Sequence, residues 1–125
     1  MKYLLDSNII IMTVMGMNEA LRRRVADCDE GDIVTSAVAY AEVAYGAARG
    51  KTPGSDQLQA FVEEAPVLEF DLKAAQAYTT LPFKRASFDR LIAAHALSRG
   101  LTLVTDNEAD FADIPDLDVE NWTRP

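Results

Sequence analysis

The sequence predicts an α/β protein, a three-layer α/β/α sandwich built on a parallel sheet of flavodoxin-like strand order. Three observations carry that expectation. Short apolar runs at 2–5, 32–35, 67–70, 101–104 and 117–120 alternate with segments of helical length, the pattern of a sheet whose parallel strands are joined by helical crossovers. Residues that cap or stop helices stand between the segments. Two of the runs, the first and the fourth, end on polar clusters, Asp6-Ser7-Asn8 and Thr105-Asp106-Asn107. With 125 residues the chain has the size of one domain with one core, spanning 1–125.

The first strand, Lys2 to Leu5, has no Gly or Pro nearby and delivers Asp6 to its end. Ile9 to Met15 is apolar, and a charged helix opens at Asn18 and runs to about Asp27 with Leu21, Val25 and Cys28 on one face. After the strand at 32–35, Ser36 caps a helix over 37–49 that Gly50 closes. Val38, Ala41, Tyr45 and Ala48 form its apolar stripe, and Glu42 lies beside that stripe. A carboxylate at the edge of a buried face calls for a partner or a role.

Lys51-Thr52-Pro53-Gly54 is a turn, and Ser55 caps a helix to about Glu64. Pro66 ends that element; a strand follows at 67–70, and Asp71 caps a helix over 72–80. Residues 81–86 form a loop. Ser87 caps a helix over 88–99, whose apolar face holds Leu91, Ile92, His95 and Ala96 and whose stop is Gly100. Asp89 thus falls in a first turn, where the helix dipole favours a negative charge by ~0.3–1 kcal/mol. Beyond the strand at 101–104, a short helix near 108–112 and a last strand at 117–120 complete the domain.

Composition narrows the class. A hydrophobic content of 49% with 26% charged residues excludes a disordered chain. The stretch from Ser7 to Met17 is well short of the ~20 apolar residues of a membrane span, and Asp6 and Asn8 break the apolar core an export signal would need. The single Cys28 forms no internal disulfide and reads as a small buried hydrophobe, which suits the cytoplasm. The net charge of −8 opposes long-range attraction to nucleic acid. Yet Arg22-Arg23-Arg24, Arg49 with Lys51, and Lys84 with Arg85 are local basic clusters, while seven acids lie between Asp106 and Glu120.

Right-handed crossovers bring the first strand beside the fourth, and ligands of open α/β sheets bind at the carboxyl ends of the strands where the order reverses. Asp6, Glu42, Asp89 and Asp106-Asn107 are the groups available there. Carboxylates gathered together repel unless a cation neutralises them. Oxygen donors without His or Cys select Mg²⁺ or Mn²⁺ over zinc, and such ions support phosphodiester hydrolysis. Each acid also has a plainer reading: Asp6 and Asp106 as helix caps, Glu42 as an exposed helical residue, Asp89 as a partner of the dipole. His95 on an apolar face reads as a core residue, Tyr45 and Trp122 as packing, and Ser7 and Thr105 as hydrogen-bond partners of carboxylates or metal-bound water.

The blocks Leu4-Leu5-Asp6-Ser7-Asn8-Ile9, Ala41-Glu42-Val43-Ala44-Tyr45-Gly46, Asp89-Arg90-Leu91-Ile92-Ala93-Ala94-His95-Ala96-Leu97, Leu103-Val104-Thr105-Asp106-Asn107 with Asp110-Phe111, and Val119-Glu120-Asn121-Trp122 closely resemble, in order and spacing, the PIN-domain toxins of the VapC type. The resemblance covers nearly the whole chain. It implies a PIN-like fold and a Mg²⁺- or Mn²⁺-dependent endoribonuclease, the toxin of a type II toxin–antitoxin pair. It further implies a homodimer held inactive by a small VapB-like antitoxin and acting in the cytoplasm on RNA.

By position the resemblance makes Asp6, Glu42 and Asp89 the three acids of the site and the metal ligands. It leaves the fourth slot between Asn107 and Asp110, with Asp106 between them and Ser7, Asn8 and Thr105 as supporting groups. Ser7 stands where threonine is common in the family, and the shortened segment before Asp89 carries Lys84 and Arg85, which suit RNA phosphates. So few clustered cations on an acidic chain favour a structured or locally presented RNA. The competing reading is a catalytically degenerate PIN module that binds antitoxin or RNA without cleaving it. A receiver domain is disfavoured because no lysine follows the fourth strand, and a haloacid-dehalogenase-like phosphatase because Asn8 stands where a second aspartate is needed.

Overall fold

The computed structural model describes residues 1–85 and 87–125. Its elements are β1 (Tyr3–Leu5), α1 (Ser7–Met15), α2 (Glu19–Ala26), β2 (Ile33–Ser36), α3 (Ala37–Ala47) and α4 (Ser55–Glu64), then β3 (Val67–Leu68), α5 (Leu72–Tyr78), α6 (Phe88–Arg99), β4 (Thr102–Val104), a 3-10 helix (Glu108–Phe111) and β5 (Val119–Glu120). The five strands form one parallel sheet in the order β3-β2-β1-β4-β5. Right-handed crossovers place α1 to α4 on one face and α5 and α6 on the other, consistent with α1 packing on α3 and α4 and α5 packing on α6. The α/β sandwich is therefore the fold the sequence predicts.

The strand order corrects one detail. A flavodoxin-like sheet runs 2-1-3-4-5, whereas here β2 separates β1 from β3. Both orders obey the same crossover handedness, so alternation of strands and helices does not choose between them; side-chain packing does. The neighbouring of β1 and β4 is as expected, and it is the pairing that matters for the site. Leu5 lies level with Thr35 of β2 and Val104 of β4, so Asp6, Ser36 and Thr105, the next residue on each strand, stand side by side along the carboxyl edge.

Ser7 to Met15 forms a helix although three consecutive isoleucines favour a strand by propensity. Three local features override that preference. Asp6 Oδ1 accepts the Ile9 N–H at 3.0 Å, Ile9 and Ile10 are buried in the core, and Gly16, at φ 62°, ends the helix by returning its N–H to Met12 and Thr13. Ser36, Asn18 and Asp71 cap their helices through side-chain oxygens that accept N–H groups of Val38, Leu21 and Ala74. Two expected caps differ. Ser55 is the first helical residue behind Gly54, whose N–H is taken by Gln57 Oε1 at 2.9 Å, and Ser87 holds the cap position of α6 without a side-chain bond. Helices α3 and α5 end two residues earlier than their sequence periodicity implies. Of the expected loop at 81–86, Ala86 lies outside the described residues.

The core joins Leu4, Leu5, Ile9, Ile10, Val34, Ile92, Leu103 and Val104 on both faces of the sheet. Trp122 closes its end, 1% exposed, edge-on to Tyr3 at 4.7 Å, with its indole N–H donating to Glu120 at 2.8 Å and the Arg24 guanidinium over its ring. Among the described residues no helix is long and apolar enough to cross a membrane.

Asn18 ties this closing segment to α2: its Oδ1 accepts the Leu21 N–H at 2.9 Å and its Nδ2 donates to the Thr123 carbonyl at 3.1 Å. Asn18→Ala is expected to lower unfolding free energy by about 1–2 kcal/mol in a urea titration. Asn18→Asp, which keeps the cap and loses the second bond, should fall between it and the unmodified chain.

Candidate functional site

The acid cluster is assembled from three elements that are far apart in sequence. Asp6 is fixed at the end of β1 by its N–H, which donates to the Val104 carbonyl at 3.1 Å. One residue back, the Leu5 carbonyl accepts the buried Thr35 hydroxyl at 2.8 Å. The Asp6 side chain is 6% exposed, and burial pushes its carboxyl up to about 6. The charges of Asp106 and Asp89 push the same way, against hydrogen bonds from the Thr105 hydroxyl and the Ile9 N–H.

Ser7, the first residue of α1, donates its hydroxyl to Glu42 Oε1 at 3.2 Å, a bond that links two packed helices, α1 and α3. Glu42 precedes the buried Val43 and is half-buried. Burial raises its carboxyl, with Asp89 adding to the effect and the Ser7 bond opposing it. Asp89 comes from the first turn of α6. It too is raised, first by burial and then by Asp110 and Asp106, while Arg90 and Lys84 hold it down. Asp6, Glu42 and Asp89 thus form one repelling group, with Asp106 and Asp110 at its rim.

The other candidates divide. Thr105 is buried beside Asp6 and accepts the Asn107 N–H at 3.1 Å. Asn107 is exposed and its amide donates to Asp110 Oδ2 at 2.6 Å, so the two candidates for the fourth position are bonded to each other. Asp110 is the carboxylate whose charge reaches Asp89 most strongly. Asn8 is exposed and lines a groove with Ser7 and Glu42. Lys84 acts on Asp89; Arg85, exposed next to it, makes no ion pair among the described residues.

His95 is the core residue its position suggests. It is fully buried, its Nδ1 lies 2.8 Å from Ser36 Oγ, and it meets Phe70 edge to face. Burial holds its pKa below the usual histidine range, against the pull of Asp71, and so favours the neutral ring.

Arg90 escaped sequence reasoning. It is 2% exposed, and its Nη2 donates to Asp113 Oδ1 at 2.7 Å and to the Asp110 carbonyl at 3.2 Å. It thereby pins the 3-10 segment against α6 and keeps Asp110 near Asp89. The one signal in the sequence is its helical spacing with Ala93, Ala94 and Leu97, and arginine is ordinarily read as exposed at such a place.

Chemically, this is a set of oxygen donors at the carboxyl edge whose ionisation burial and mutual repulsion oppose, the condition a divalent cation relieves. Among the described residues no three acidic, histidine or cysteine side chains are placed to hold one metal ion.

Comparison with known proteins follows the same lines. The PIN domain model matches residues 3–117. The chain is 32% identical to the tRNA(fMet)-specific endonuclease VapC of Shigella flexneri, over 98% of this chain and 99% of that one. It is 30% identical to the ribonuclease VapC2 of Rickettsia felis, over 99% and 100%. Among solved structures it is similar to VapBC2 from Rickettsia felis bound to a DNA fragment from their promoter, with a TM-score of 0.86 at 26% identity covering 98% of this chain and 99% of that one. It is also similar to DNA-bound VapBC from Salmonella typhimurium, with a TM-score of 0.79 at 30% identity covering 98% of each.

The buried acid sets a pH dependence. Folded, Asp6 keeps its proton to about pH 6, whereas the unfolded group ionises near 3.8. Between those values the unfolded chain binds fewer protons, so stability in chelator falls as pH rises from about 4 to about 6; the upward shifts of Glu42 and Asp89 act in the same sense. Asp6→Asn should flatten that decline and gain up to about 3 kcal/mol at pH 7. Urea titrations of both proteins at pH 4.5 and 7.5 measure it, and parallel pH profiles would refute the assignment.

Proposed function

The chain belongs to the PIN-domain family, and on that premise we propose that it is the ribonuclease toxin of a VapBC-type pair, hydrolysing RNA phosphodiester bonds with Mg²⁺ or Mn²⁺ held by Asp6, Glu42 and Asp89. The observation that carries this reading is the convergence of three carboxyls from β1, α3 and α6, each raised by burial and each neighbouring another. Bound among them, a divalent cation supplies an activated water and neutralises charge on the phosphoryl oxygens.

The residues of the chain have distinct tasks in this reading. Thr105 and the Ile9 N–H orient Asp6, Ser7 orients Glu42, and Asn107 orients Asp110, which serves as the fourth acid in preference to Asp106. Lys84, and Arg85 next to it, contact backbone phosphates on the Asp89 side.

Two relatives carry the name tRNA(fMet)-specific endonuclease. A structured RNA such as initiator tRNA is the substrate class proposed here, because an acidic protein with few free cations gains most from a preformed presentation of phosphates. A VapB-like antitoxin restrains the enzyme, which works in the cytoplasm as a homodimer. The exposed Tyr45 and Phe88 flank an apolar groove of about 650 Å³ suited to burial against a second copy.

Initiator tRNA transcript incubated with the purified chain and Mg²⁺ should be cut, and chelator should stop the reaction. Asp6→Asn or Asp89→Asn should each reduce the rate by more than about 100-fold and abolish growth arrest on expression. Undiminished toxicity in Asp6→Asn would sink the proposal. Independently of turnover, Mg²⁺ at 100 times its Kd should stabilise the protein by about 2.7 kcal/mol, read as a rise in Tm that is lost in both variants.

A further inference from the structure

The basic cluster at Arg49 and Lys51 lies apart from Lys84 and Arg85 in sequence, and the fold gives it a place. Lys51 crosses α3 one turn beyond Glu42. Its N–H donates to the Gly46 carbonyl at 2.9 Å, and a Cβ added at Gly46 would lie 3.6 Å from both Cβ and Cδ of Lys51. The lysine stem therefore rests on a helix surface that glycine leaves flat. Lys51 and Thr52 line a groove of about 210 Å³ together with Ser7, Asn8 and Glu42. Two of the residues that line it, Ser7 and Glu42, are bonded to each other at 3.2 Å.

Charge explains why this position matters. Lys2, Arg23, Arg24, Arg90 and Arg124 are tied to carboxylates. Among the described residues Lys51, like Arg22, Arg49, Lys73, Lys84, Arg85 and Arg99, makes no ion pair, and Lys51 is the cation that lines the groove with Glu42. Arg49 holds a second positive charge against Tyr45, which also lines the groove, its guanidinium 3.4 Å from the centre of the Tyr45 ring and its Nη1 donating to the Tyr45 carbonyl. A chain of net charge −8 can hold a polyanion only through such unpaired, locally placed cations. The charge of Lys84 reaches Asp89, and Lys51 lines the same groove as Glu42.

We propose that Lys51, with Asn8 and Thr52 as hydrogen-bonding neighbours, forms a phosphate-binding subsite for the RNA backbone on the Glu42 side of the acid cluster. An RNA strand whose scissile phosphate meets the acids then has a neighbouring phosphate held by Lys51. Ammonium and amide donors suit phosphate oxygens, and the contact is blind to base identity. The subsite rests on the ribonuclease reading for its substrate, and it can fail separately.

The test uses binding so that it does not depend on cleavage. In the Asp89→Asn background and in chelator, the affinity for a fluorescent initiator tRNA transcript is measured between about 50 and 300 mM salt, with a single-stranded RNA of about 20 nucleotides as second probe. Lys51→Ala should weaken binding of both RNAs about three- to tenfold near 100 mM salt and reduce the slope of log K against log salt by about 0.7–1. Lys51→Arg should retain the parental slope, and Lys73→Ala, the same charge loss on α5, should leave it unchanged. An unchanged slope in Lys51→Ala, or an equal loss in Lys73→Ala, overturns the subsite. Cleavage by the unmodified chain is followed in parallel: cleavage without a Lys51 effect removes the subsite alone, a Lys51 effect without cleavage removes the nuclease reading alone, and the absence of both RNA binding and cleavage removes both.

Discussion

Asp6 is held where water barely reaches it, at the end of the central strand, and much of the local structure is arranged around that carboxyl. The same side chain caps α1 through the Ile9 N–H and faces the charges of Asp89 and Asp106. A cap is favourable for a carboxylate, whereas burial beside like charges is not. The group is therefore useful to the fold as a hydrogen-bond acceptor in either protonation state, and it carries a standing electrostatic cost that a cation would remove. That combination separates it from Asp71, an exposed cap whose carboxyl is lowered by the Ala74 N–H it accepts.

The neighbouring groups each hold a piece of backbone in register with that carboxyl. Thr35 satisfies the last carbonyl of β1, Ser7 joins α1 to α3, and Ser36 both caps α3 and meets the buried His95 of α6. Arg90 does the same on the far side, binding the 3-10 segment to α6 through Asp113 and the Asp110 carbonyl. Hydrogen-bonded polar groups of this kind are costly to misplace inside a protein, which is why acids drawn from three elements far apart in sequence can still be kept at one edge of the sheet.

Much of this was legible in the residues. Strands ending in Asp6 and in Thr105-Asp106-Asn107, and Asp89 in a first turn, pointed to one edge, and the core role of His95 followed from its apolar face; the stripe expected beside Glu42 was not the buried one, since α3 buries Ala39 and Val43 and leaves Ala41, Tyr45 and Ala48 exposed. Less legible were the helix at Ser7 to Met15, where local propensity favours a strand and the Asp6 cap and core burial prevail, and the identity of the first position of α4. Arg90 was missed because a buried guanidinium is exceptional and its partners, Asp113 and Asp110, lie some twenty residues on in the chain.

By itself the sequence determined the alternation of strands and helices, most of the caps and stops, and which side chains end up at the carboxyl edge, since these depend on periodicity and on local hydrogen bonding. The tertiary structure decided the strand order 3-2-1-4-5, the pairing of Asn107 with Asp110, the burial that raises Asp6 and the placing of Lys51 against Gly46. Those depend on which surfaces meet and which water is excluded, and such contacts join residues that no local pattern relates.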